Sequence, residues 1–207
     1  MKTIDIYYGL SGAMKGSTIE SIKKKNKNTE VMESAIKPWK YYQFGIFDGL
    51  TEYNDLTYGI LHLVRLREFI ERVHNRLEEI DKVIVERGIT DSMFYYYYND
   101  EFLSGQGRSE NRELIKKIVE AENIVFLPDF FKTNKVLLIQ EDKDFVKNVV
   151  LRDEYRKRTF KNDPNLYFDL QNKYVDFTIK HNNIDEVIHI KNAKEYITGT
   201  LGEPWNI

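Results

Sequence analysis

The stretch Thr3-Ile4-Asp5-Ile6-Tyr7-Tyr8 runs straight into Gly9-Leu10-Ser11-Gly12-Ala13-Met14-Lys15-Gly16-Ser17-Thr18. Its first six residues are mostly β-branched and aromatic, the composition of a buried strand, and the run stops at a glycine. A polar, lysine-rich helix is predicted from about Thr18 to Lys25. Between strand and helix, backbone N–H groups and the first turn of the helix can converge on one point. Such a convergence suits an anion, and Lys15 adds a full positive charge beside it. The plainer reading is a glycine-rich strand-to-helix turn that carries one lysine.

Outward from this stretch, short apolar runs alternate with helical patterns. Glu30 to Glu33, Lys82 to Val85, Val136 to Ile139 and Glu186 to Ile190 read as strands. Leu56, Ile60, Leu63, Phe69 or Ile70, Val73, Leu77 and Ile80 recur every three or four residues, which predicts a long amphipathic helix. Further helices are predicted at Arg112 to Ala121, at Asp144 to Leu151 and on the face formed by Leu166, Leu170, Tyr174 and Phe177, with a tyrosine-rich helix around Tyr95 to Tyr98. Strands that alternate with helices imply an α/β fold, with a five-stranded, mostly parallel sheet and right-handed crossovers. The strands read as apolar throughout, as expected where helices cover both faces. Internal repeats and low-complexity linkers are absent, and 207 residues suffice for one core, so a single domain over 1–207 is expected.

Composition narrows the function classes. A net charge of -2, from 31 basic and 33 acidic residues, provides no global field for nucleic acid or an anionic membrane. The chain has no cysteine, which excludes disulfides, thiolate zinc sites and cysteine nucleophiles and fits a reducing cytoplasm. The start, MKTIDIYYGL, lacks the apolar centre of a signal peptide, and no run approaches the ~20 apolar residues of a membrane span. The expectation is a cytoplasmic protein with no membrane contact. His62, His74, His181 and His189 have no metal-ligand spacing.

Three more segments carry candidate chemistry. Glu33-Ser34-Ala35-Ile36-Lys37-Pro38-Trp39 puts a carboxylate at the end of the second strand, where the ligand crevice of a parallel sheet lies. There it can act as a general base. Val83-Ile84-Val85-Glu86-Arg87-Gly88-Ile89-Thr90-Asp91-Ser92 ends the third strand on an acid and an arginine, a pattern that also suits a surface ion pair. Arg152, Arg156, Lys157 and Arg158 form a charge run that serves equally as a solvated face or as cations for phosphate. Tyr41, Tyr42, Phe44, Phe47 and Tyr95 to Tyr98 suit either base stacking or a packed core.

Taken in order, these segments resemble the P-loop deoxynucleoside kinases and thymidylate kinases over nearly the whole chain. The resemblance implies a three-layer fold with strand order 2-3-1-4-5 and a lid at about 152–165. It implies that Gly9, Gly12, Ala13, Met14, Lys15, Gly16, Ser17 and Thr18 cradle the phosphates of ATP, with Lys15 on the β- and γ-phosphates and Arg152 and Arg156 closing over them. It further implies that Ser17, with Thr18 as fallback, and Glu86 hold Mg²⁺. Glu33 is then the general base, Arg87 contacts the phosphoryl group or the catalytic carboxylate, and Trp39, Tyr42, Phe47 and Glu86 line the acceptor pocket. The chain departs from the family pattern in four places. Met14 stands where glycine is usual, Gly16 stands where the family has Ser or Thr, Gly88 lacks a side chain, and Pro38 and Trp39 lie late. The expected activity is phosphorylation of a deoxynucleoside hydroxyl by ATP. Alternatives are a deoxynucleoside monophosphate kinase, a kinase for a hydroxyl of a modified base or end in DNA, a catalytically weakened nucleotide-binding module, and a sulfotransferase. The partner expected is a nucleoside or nucleotide acceptor, with DNA and a second copy of the chain as further candidates.

Overall fold

A computed structural model describes residues 2–33, 55–91, 94, 112–126, 129–153, 156–157 and 160–201. Five strands form the sheet: β1 (Lys2–Tyr8), β2 (Thr29–Met32), β3 (Lys82–Glu86), β4 (Phe131–Gln140) and β5 (Glu186–Ile190). Their order is β2-β3-β1-β4-β5, and every adjacent pair is parallel. The helices are α1 (Lys15–Lys25), α2 (Asp55–His74), α3 (Arg112–Val125), α4 (Lys143–Asn148), α5 (Pro164–His181) and α6 (Ala193–Leu201). The expected fold class and strand order are therefore observed, with β1 at the centre.

Side-chain alternation along the strands builds two cores. Ile4, Ile6 and Tyr8 of β1, Val83 and Val85 of β3 and Leu137 of β4 point to one face. There they meet Leu66, Phe69, Ile70 and Val73 of α2, Ile118 of α3, and Tyr167, Leu170, Tyr174 and Phe177 of α5. Tyr7, Ile84, Val136 and Leu138 point to the other face, against Ile19 of α1 and Ala193 and Ile197 of α6. Helices thus cover both faces of the sheet, and the carboxyl ends of all five strands open on one edge.

Several expectations change in detail. The periodicity through Ile80 predicts one helix, but α2 ends at His74. The chain then tightens into turns, with Arg76 N–H donating to Val73 O and Glu79 N–H to Arg76 O. Ile80 is still buried, because it feeds directly into β3. β4 is longer than its apolar centre, since Phe131 to Leu137 pair with the whole length of β1. β5 is not apolar on both sides: Glu186, Val187 and His189 are exposed, as an edge strand permits. α6 has too weak a pattern to read from sequence and is held by Ala193 and Ile197. The tyrosine-rich helix around Tyr95 to Tyr98 lies outside the described residues.

Candidate active site

The chain leaves β1 through Gly9, with φ 152°, and turns again at Gly12, with φ 100°. A Cβ on Gly9 would lie 2.9 Å from the Leu138 carbonyl oxygen, and one on Gly12 would lie 2.7 Å from Val150 Cγ1. Both positions therefore need glycine for space as well as for backbone angle. Met14 sits at the N-cap of α1 with φ 63° and ψ 19°, in the left-handed region. Glycine would adopt this at no steric cost, whereas methionine bears a penalty of roughly 1–2 kcal/mol. Its buried side chain packs in the core cluster of α1 and α6 and offsets that strain. The loop thus keeps a glycine-type backbone at a position that is not glycine. The Met14 carbonyl accepts from Thr18 N–H at 3.0 Å, which fixes the start of the helix.

Lys15 is buried, and its ammonium donates to the carbonyls of Gly9 and, at 3.1 Å, Leu10. Burial lowers its pKa to about 7, and Arg87 and Arg156 push it the same way, while Asp91 and Glu86 oppose them. Two arginines from other parts of the chain thus lie within electrostatic reach of Lys15, and two acids partly offset them. Arg87 follows β3 in the left-handed region, with φ 72°. Its N–H donates to Tyr7 O at 3.0 Å, and its Nη1 donates to Asp91 Oδ2 at 2.9 Å. Asp91 is fully buried, and its other carboxylate oxygen accepts from the Tyr174 hydroxyl. Burial raises the Asp91 pKa, against the pull of Arg87 and Lys15. The same Tyr174 oxygen accepts from Gly9 N–H at 2.9 Å.

A second buried network supports the turn after Arg87. Glu122 accepts from Ile89 N–H at 2.6 Å and from the Tyr8 hydroxyl at 3.3 Å. Asn182 donates to Thr90 Oγ1 at 2.8 Å and accepts from Lys135 Nζ at 3.2 Å. A Cβ on Gly88 would lie 2.6 Å from the Tyr8 hydroxyl and 2.8 Å from Glu122 Oε1. The missing side chain at Gly88 thus has a physical cause: Tyr8 and Glu122 fill its place. Burial raises the Glu122 pKa to about 7, although Ile89 N–H and Lys135 hold it down.

The other candidates fall as follows. From the segment expected as a lid, Arg156 donates through Nε to Ser11 Oγ at 3.2 Å, whereas Arg152 is exposed in a 3-10 turn (Val150–Arg152). Glu33 follows β2 and is exposed. Met32 pairs with Val85, so Glu33, just past β2, and Glu86, the last residue of β3, each lie one residue beyond that pair. Trp39, Tyr42 and Phe47 lie outside the described residues. The oxygens expected for Mg²⁺ are unequal. Gly16 offers none, and Thr18 Oγ1 is engaged by Met14 O at 2.9 Å and the Tyr196 hydroxyl at 3.1 Å. That leaves the Ser17 hydroxyl and Glu86, both partly exposed, as oxygen donors of the kind a hard cation takes. No group of three or more potential metal ligands occurs among the described residues.

Asp91, Tyr174, Ser11 and Glu122 had no role in the sequence reading. Asp91 carried the only usable signal, since it stands four residues after Arg87 as the chain turns helical at residues 89–91. Tyr174 belongs to an apolar helical stripe and is indistinguishable there from a core aromatic.

No protein-family model matches this chain, and no curated protein matches its sequence. Solved structures do match. A thymidylate kinase from Candida albicans superposes with TM-score 0.60 at 12% identity, covering 96% of this chain and 88% of that one. A thymidylate kinase from Ehrlichia chaffeensis gives TM-score 0.50 at 14% identity, covering 100% and 90%. A deoxyadenosine kinase from M. mycoides with bound dATP gives TM-score 0.47 at 15% identity, covering 98% and 100%. At these identities the likeness is one of fold. The fold is the one seen in these thymidylate kinases. No helix among the described residues is long and apolar enough to cross a membrane.

Proposed function

We propose that this chain is an ATP-dependent kinase that phosphorylates a hydroxyl of a deoxynucleoside. The supporting observation is that Lys15, Arg87 and Arg156 all bond to the end of β1 or the loop after it, through Gly9 and Leu10, Tyr7 and Ser11 respectively. Cations gathered around a glycine-shaped loop suit a polyanion that binds among them. In this reading the loop from Gly9 to Thr18 and Lys15 hold the ATP phosphates, and Arg156 closes from the lid. Ser17 and Glu86 would hold Mg²⁺, which supplies charge neutralisation between the phosphates when bound. Glu33 takes the proton of the acceptor hydroxyl as its oxygen bonds to the γ-phosphorus. The bond to the bridging β–γ oxygen breaks, and ADP leaves. Arg87 orients the transferred phosphoryl group or the base. A hydroxyl acceptor is favoured because Glu33, a carboxylate, stands at the strand end, whereas a phosphate acceptor calls for cations there. Lys37 and Lys40 are the residues that favour a monophosphate.

The second reading is a nucleotide-binding module with weakened catalysis. Its support is the missing hydroxyl at Gly16, together with the engaged hydroxyl of Thr18. One experiment separates these readings: incubation with γ-labelled ATP and a panel of deoxynucleosides, deoxynucleoside monophosphates and DNA. Labelled deoxynucleoside monophosphate supports the proposal. Label found only in diphosphates, or only on intact DNA, moves the acceptor accordingly. ATP binding without transfer to any acceptor supports the second reading.

A further inference from the structure

The backbone ladder between β1 and β3 ends where the site begins. Tyr7 pairs with Glu86, and Arg87 N–H adds one last bond, to Tyr7 O. Beyond it, Gly9 opens the phosphate loop and Arg87 bends into the left-handed region. Side chains carry the connection from there: Gly9 N–H donates to the Tyr174 oxygen, Tyr174 donates to Asp91, and Asp91 accepts from Arg87. Each hydrogen-bonding position is used in one direction only. An ionised Asp91 cannot donate, so Tyr174 must, and its lone pair then faces Gly9 N–H. Tyr174 and Asp91 are buried, and Phe94 packs edge-on to the Tyr174 ring with centroids 5.0 Å apart. No rotation of the hydroxyl to water competes with this arrangement.

We propose that Tyr174 and Asp91 form a positioning pair for phosphoryl transfer, extending the register of β1 and β3 past the end of their ladder so that the phosphate loop and Arg87 face the same phosphoryl group. The proposal rests on the kinase reading above and adds two residues to it. Neither touches substrate; both act through Gly9 and Arg87. Tyr174 lies on α5, the helix that leaves the lid, so the lid is anchored on the same bridge. Misplacement of reacting groups by about 1 Å can cost about 100-fold in rate, which gives a bridge of this kind its leverage.

Two substitutions test the pair. Tyr174→Phe removes one oxygen and keeps the ring that packs on Phe94. Asp91→Asn keeps the shape and an acceptor for Tyr174 but removes the charge that holds Arg87. Expected for each is a kcat at least about 10-fold lower, with acceptor KM within about threefold and a melting transition still well above the assay temperature. Because the two act as one unit, the double variant should be no slower than the slower single variant, to within about twofold. A kcat of Tyr174→Phe equal to the wild type, or losses that simply multiply in the double variant, would overturn the pairing and leave the kinase reading intact. Should the wild type bind ATP but transfer to no acceptor, calorimetry decides. ATP affinity at least about fivefold weaker in Tyr174→Phe upholds the loop register, and unchanged affinity overturns it. A wild type that neither binds ATP nor transfers phosphate overturns both.

Discussion

Arg156 Nε donates to Ser11 Oγ at 3.2 Å, so a guanidinium from the segment before α5 rests on the loop that follows β1. The contact joins a neutral serine hydroxyl to a cation. Its effect on Lys15 places it within electrostatic reach of the same site. An arginine held there can stabilise charge that develops on a transferred phosphoryl group. Arg156→Ala should lower kcat by about 10–100-fold while the melting temperature changes little. Arg156→Lys should recover only part of the loss, since an ammonium lacks the planar fork. Arg152→Ala, at an exposed position, should leave both quantities nearly unchanged. Steady-state kinetics of the three variants check the assignment, and an inactive Arg152→Ala beside a fully active Arg156→Ala would reverse it.

If Lys15 holds the nucleotide's phosphates as proposed, it links pH to nucleotide binding. Its folded pKa is lowered to about 7, so between that pH and the ordinary lysine range the unfolded chain binds more protons than the native one. Stability therefore rises with pH across this window. Phosphates brought beside Lys15 favour its charged form, so ATP binding at about pH 8–9 should take up roughly one proton. Affinity should then fall by up to about tenfold per pH unit. Calorimetry in buffers of different ionisation enthalpy measures the uptake. Lys15→Met should abolish it; proton uptake that persists in this variant would assign the effect to another group.

Glu122 gives a dependence of opposite sign. Its folded pKa is raised to about 7, so the native protein holds a proton that the unfolded chain has released. The associated stability is fully present below the ordinary carboxylate range and is lost as pH rises through about 7. The shift corresponds to on the order of 3 kcal/mol. Glu122→Gln keeps an acceptor for Ile89 N–H and removes the titration. From about pH 5 to about pH 8, the wild-type melting temperature should drop relative to Glu122→Gln by roughly 5–10 °C. Parallel curves for the two proteins would mean that Glu122 does not titrate there.

How far the sequence carries depends on whether a residue acts through chain-local pattern or through space. The strand from Glu186 to Ile190 is legible to the residue, because β-branched Val187, Ile188 and Ile190 stand in a five-residue run too short for a helix. The loop from Gly9 to Lys15 is legible because glycines, lysine and the strand-to-helix junction are contiguous. Its departure at Met14 is not, since only the left-handed backbone and the buried side chain explain how methionine is tolerated. Gly88 looks like a defect in sequence and becomes a necessity once Tyr8 and Glu122, 80 and 34 residues away, occupy its space. Tyr174 and Asp91 are joined across 83 residues, a separation at which no periodicity carries information.

Gly16 offers the sharpest test of whether the loop holds the Mg²⁺ of the proposed reaction. It is the second residue of α1, is exposed, and an added Cβ would meet no heavy atom within 4 Å. Its backbone is helical, so a side chain introduces no strain, and replacing a helical glycine stabilises by roughly 0.5 kcal/mol. Gly16→Ser therefore puts a hydroxyl directly after Lys15 without disturbing the loop. If the native chain relies on Ser17, one residue further round the helix, its donor points about 100° away from that direction. Gly16→Ser should then lower the Mg²⁺ concentration for half-maximal activity by roughly threefold or more, with an unchanged or higher melting temperature. Ser17→Ala should raise that concentration in the native background and have little effect in the Gly16→Ser background, because the new hydroxyl replaces the one removed. Mg²⁺ titrations of the three variants at saturating ATP read this directly. An unaltered Mg²⁺ dependence in Gly16→Ser would mean that the first turn of α1 does not face the metal, and the role of Ser17 would fall with it.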